Sequence, residues 1–69
     1  MMDVEALAQL LLETADRHDS YEKVAPAHDW WDWYAAYIDA RQSGSSPDDA
    51  AGVAQTYMAE VKHVVVPSG

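Results

Sequence analysis

The 69-residue sequence has no cysteine, no phenylalanine, three glycines, three prolines and only four lysine or arginine residues. Each shortage excludes something. Without cysteine there is no disulfide and no thiolate zinc site. A chain this short buries a small fraction of its surface, so its stability needs another source, such as a partner. The lack of cysteine also fits a reducing compartment, and a cytoplasmic location is expected. Without phenylalanine, every aromatic ring belongs to one of three tryptophans or four tyrosines. Each of these keeps a polar atom that wants a partner when the ring is buried. Twelve acids against four bases leave a formal net charge of −8, which disfavours nucleic-acid phosphates and anionic membranes. The expected partner is a protein, self or heterologous. No run approaches the ~20 apolar residues of a membrane span. The opening MMDVEALAQLLLETADR carries Asp3, Glu5 and Glu13, unlike the basic start of a secretory signal.

What is present points to an all-α fold. Nearly half of the residues are hydrophobic, so composition does not predict disorder. Much of that fraction is alanine, which favours helix. The reading is one domain over 1–69, a small three-helix bundle with helices over about 3–17, 27–43 and 47–63 and a flexible tail over 66–69. Asp3 is the expected first cap. Val4, Leu7, Ala8, Leu11 and Ala15 then make one stripe. The piece HDSYEKVAPAHD is ambiguous: Pro26 marks a boundary or opens helix two as its first-turn proline, while Asp29 is a competing cap with Asp32 three residues on.

Helix two carries the strongest pattern, DWWDWYAAYIDARQSG, with Trp30, Trp33, Tyr34, Tyr37, Ile38 and Arg41 at steps of three and four. Gly44 suits a left-handed cap. Ser46 followed by Pro47 is the clearest helix start in the chain, and Ala50, Val53, Ala54, Tyr57, Met58 and Val61 follow as an inward stripe. Gly52 marks a close helix crossing or is incidental. The short link between helices two and three makes them antiparallel neighbours. The expected core is Leu7, Leu11, Trp33, Tyr37, Ile38, Val53, Tyr57 and Met58.

Three functional readings follow. The apolar supply exceeds what three short stripes bury, and Trp31 points about 100° away from Trp30. This predicts an interface at Trp30, Trp31, Tyr34 and Leu10, used by a homodimer or a larger partner. The chain is then a small acidic interaction or accessory protein. The second reading is a small-ligand or metal-binding module. His18 and Glu22 are four apart, as are His28 and Asp32, and the four together would suit zinc, manganese, iron or nickel. The third is an enzyme with a site at a dimer seam. Nothing resembles a nucleophile context, and QSGSSPDD lacks the lysine and glycine spacing of a phosphate loop. The expectation therefore leans away from catalysis and includes no cofactor.

Overall fold

The computed structural model describes residues 3–67, which form helices α1 (Val4–Glu22), α2 (Trp30–Gln42) and α3 (Pro47–Glu60). Each end has a local cause. The Asp3 carboxylate accepts from the Ala6 N–H at 2.7 Å, and the Ser46 hydroxyl accepts from the Asp49 N–H at 3.2 Å, so both helices open on a side-chain cap. Pro47 follows Ser46 at the first helical turn, where its missing N–H costs nothing. At the end of α2, Gly44 has φ 106°. Its N–H bonds Arg41 O and the Ser45 N–H bonds Ala40 O, the paired bonds of a Schellman motif. That tight turn folds α3 back antiparallel along α2.

Three helix limits differ from the sequence reading. α1 runs past residue 17 to Glu22, because His18 and Tyr21 are buried on its inner face and outweigh the poor helix propensities of Asp19 and Ser20. α2 starts at Trp30, not 27. Asp29 stands at its cap position without a side-chain cap bond, so the expected box with Asp32 does not form. α3 ends at Glu60, not 63. His63 takes the left-handed φ of 59° and the Val64 N–H returns to Met58 O at 2.8 Å. Val64 and Val66 then pack against the core. Of the tail expected to be flexible, residues 68 and 69 lie outside the described residues.

The core is built on Trp33, which is stacked between Tyr21 of α1 (ring centroids 5.7 Å apart) and Tyr37 of α2 (5.1 Å). From α2 come Trp33, Tyr37 and Ala40, from α3 Ala50, Ala54 and Met58, and from α1 Leu10, Thr14, His18 and Tyr21. All of these fall at steps of three and four. The alanines on α3 are fully buried and let the large rings of α2 lie close. Ile38 and Tyr57 are partly buried against this core. Gly52 faces open space where a side chain would stand, so no helix among the described residues crosses there.

The expected core placement of Leu7, Leu11 and Val53 is corrected: all three are exposed. The reason on α1 is length. Its 19 residues span about 28 Å against about 20 Å for the 13 of α2, in a molecule of 38 × 19 × 18 Å. Residues 3–9 are exposed on every side. The first turns of α1 therefore project past the bundle, and the stripe that reads as core is covered only in part at Leu7 and Leu11 and hardly at all at Val4.

Candidate functional site

The inner face of α1 is unusually polar, and two polar clasps hold it to the rest. In the first, Thr14 is fully buried and satisfies its hydroxyl by donating to Leu10 O at 2.6 Å. One residue before it, Glu13 reaches α2. The Glu13 Oε2 accepts from the Tyr37 hydroxyl at 2.7 Å and from Arg41 Nε at 2.7 Å, while Arg41 also donates to Ser45 O at 2.9 Å. The Arg41 bond, then the Tyr37 bond, holds the Glu13 carboxyl below its ordinary range. Burial, then the same carboxylate, pushes the Tyr37 phenol up to about 12. The group links α1, α2 and the turn after α2 through charge-assisted bonds, with each of the three guanidinium nitrogens engaged.

The second clasp joins His18 to His28, in the link between α1 and α2. The Nε2 atoms are 2.9 Å apart. A carbonyl only accepts, so His28 Nδ1–H donates to Pro26 O at 2.8 Å. That tautomer leaves His28 Nε2 as acceptor and His18 Nε2–H as donor. His18 is buried against the rings of Tyr21, Trp33 and Tyr34. Desolvation, then the nearby His28, lowers its pKa, against smaller opposing pulls from Glu22 and Asp19.

The metal reading meets this geometry directly. Of its four residues, only His18 and His28 are in direct contact, although His28 and Asp32 line one open depression. Asp32 instead lies 3.5 Å from Lys62 in an ion pair, and Glu22 is exposed on the last turn of α1. The imidazole centroids are 5.1 Å apart, about two ring radii more than the separation of the nitrogens, so the Nε2 atoms face each other head-on. Head-on nitrogens at that spacing share a proton; a chelated ion needs lone pairs that converge on a third point. Among the described residues no three His, Cys, Asp or Glu side chains gather as a metal site.

The outer surface is the other candidate. Trp30 and Trp31 are 55% and 53% exposed, with their rings edge to face at 5.6 Å. Trp30 meets Tyr34 at 4.9 Å and Tyr34 meets His18 at 5.3 Å. Ring contacts thus lead from the exposed indoles to the α1 face on which Leu11 and Ala15 precede His18 by seven and three. Leu10, expected at an interface, is instead buried in the core, with one side lining an open groove. The overhang of α1 presents Val4 and Leu7, and Leu11 and Leu12 follow just beyond it, all exposed. Beside it an open groove of about 710 Å³ runs along Gln9, Leu10, Glu13 and Arg41. No helix among the described residues is long and apolar enough to cross a membrane.

Sequence reasoning missed the roles of Glu13 and Thr14. Glu13 stands four residues before Arg17, the spacing of a pair within one helix, whereas Arg17 pairs with Asp48 at 2.8 Å. The chain matches no protein-family model, no curated protein and no solved structure.

Proposed function

We propose that this chain is a helical protein-interaction module, acting in the cytoplasm as a homodimer or docked on a larger partner. The observation that carries the reading is the overhang: the first turns of α1 leave Val4 85% exposed, with Leu7 and Leu11 on the same stripe 40% and 43% exposed. Leaving Val4 in water forfeits most of the roughly 1.5–3 kcal/mol that full burial would gain, and the half-covered Leu7 and Leu11 forfeit a part of it each. A contiguous exposed apolar face of this kind is a common mark of an interaction surface. The exposed Trp30–Trp31 pair supports the same reading, since indoles are enriched among the residues that dominate binding energy.

Native mass spectrometry of the untagged protein at high micromolar concentration tests this. A dimer or a stoichiometric protein complex is expected. Trp31→Ala weakens that association and leaves the unfolding midpoint nearly unchanged. Trp33→Ala costs about 3–5 kcal/mol of folding stability, the range for a large buried ring. Equal stability losses in the two variants with association intact would place the working face elsewhere.

A further inference from the structure

We infer that the link between α1 and α2 is a proton-released strap: His28 ties it to His18 near neutral pH, and charging both imidazoles frees it while the helices stay folded. Val24 and Ala25 are anchored, since both of their N–H groups donate to Tyr21 O. Beyond them, residues 26–28 make no backbone–backbone hydrogen bond among the described residues. The His28 ring is their polar tie, bonded to Pro26 O on the strap itself and to His18 on α1. The strap runs into Asp29, whose side chain makes no cap bond, and then into the exposed Trp30 and Trp31. Its release therefore also loosens the start of α2, where the indole pair stands.

The tie survives one proton and fails at the second. A first proton on His18 Nδ1 leaves the Nε2–H in place as donor, and His28 Nε2 still accepts. The second proton goes to His28 Nε2. Two N–H groups then face each other across 2.9 Å, each on a charged ring, and an imidazolium has no acceptor with which to restore the bond. The groups around the pair set how readily it charges. On α1, Asp19 and Glu22 favour charge on His18, while burial and then His28 oppose it more strongly. The rings of Tyr21 on α1 and Tyr34 on α2 wall the pair. Asp29, Asp32 and Lys62 share an open depression with His28, and Lys62 is already paired with Asp32. The rest of the bundle is held independently of the strap. Glu13 bonds Tyr37 and Arg41 of α2, and Arg17 pairs with Asp48 at the start of α3. The Arg41 bond and the Tyr37 bond keep Glu13 ionised below the ordinary glutamate range, so this clasp outlasts the imidazole pair as pH falls.

The test is NMR of the full chain between about pH 7.5 and about pH 4.5, a range that spans imidazole titration. Ring nitrogen shifts report the tautomer and charge of each histidine, and amide shifts report the strap. Near neutral pH, His28 is expected to carry its proton on Nδ1 and His18 on Nε2. On acidification the amides of Ala27, His28 and Asp29 shift in one step with the charging of the second ring, while the amides of Ala54 and Met58 keep their exchange protection. His28→Gln supplies an acceptor that does not titrate, so the step is lost. His28→Ala removes the tie, and its strap amides show near neutral pH the shifts of the acid form. His63→Gly, at an exposed histidine outside the pair, keeps the step. A His28 protonated on Nε2 near neutral pH overturns the strap. So does a step that persists in His28→Gln, or one that comes only with loss of protection at Ala54 and Met58. Should His28→Ala fail to fold, the tautomers of the unmodified chain and the glutamine variant decide.

Discussion

Three single residues show how backbone conformation sets small amounts of stability here. Gly44 holds φ 106°, with open space where a Cβ would stand. Gly44→Ala therefore costs only the backbone strain of an L-residue in that region, about 1 kcal/mol. His63 occupies a left-handed conformation with a side chain attached, so His63→Gly is expected to stabilise by about 1 kcal/mol. Gly52 lies in mid-helix with no neighbour to exclude a methyl group, and Gly52→Ala gains a similar amount from helix propensity. Urea unfolding of the three variants checks signs and sizes together. A destabilised Gly52→Ala would mean that the α3 surface is closed at that point by something the open space does not reveal. Gly44 was legible from its place after a run of periodic residues. His63 was not, because a histidine in a last turn reads as a favourable charge near the helix dipole.

At the scale of the element, α2 and α3 were largely readable and α1 was not. Ser46, Pro47 and Gly44 are residue types with one strong local use, and Trp33 and Tyr37 dominate their helix by size. On α1 Leu7, Leu10 and Leu11 lie on or beside the inner face, but only Leu10 is buried, because the first turns run past the bundle. Burial instead follows Leu10, Thr14, His18 and Tyr21, two of which are polar. Hydrophobic periodicity is blind to a polar inner face whose hydrogen bonds are met only in the folded state. The link before α2 was ambiguous for a related reason, since Pro26 opens no helix and its carbonyl instead holds His28.

The clasp at Glu13 gives a direct test of what α1 relies on. Glu13→Ala leaves the buried Tyr37 hydroxyl unpaired and is expected to destabilise by about 1–3 kcal/mol. Glu13→Gln costs less, because the amide oxygen still accepts from Tyr37. Equal losses in an unfolding titration would assign the effect to charge and not to the stranded hydroxyl.

For the whole molecule, the titrating groups fix the pH window of stability. Burial lowers the folded pKa of His18, so the unfolded chain takes up a proton that the folded chain resists. The associated stability is complete above the unfolded value of about 6.5 and declines as pH falls below it. Glu13 is lowered by its Arg41 and Tyr37 bonds, and its contribution is lost next, as pH drops below the ordinary glutamate range. Tyr37 acts in the opposite direction. With its folded pKa raised to about 12, its contribution holds below about pH 10 and is lost as pH climbs from there. The thermal midpoint plotted against pH should form a plateau from about 7 to 10 with a decline on each side. A midpoint unchanged between pH 7 and pH 5 would show that burial does not depress His18.

The arrangement of the three indoles also determines how the protein can be watched. Trp33 sits dry between two phenol rings, while Trp30 and Trp31 stand in water at the start of the same helix. A shielded indole emits to the blue of a hydrated one, so unfolding and docking move the fluorescence in opposite directions. Melting the bundle wets Trp33 and shifts its light to the red. A partner covering Trp30 and Trp31 shifts theirs to the blue while Trp33 stays as it was. With Trp33 alone left in place, the emission reports folding; with all three present, it also reports company.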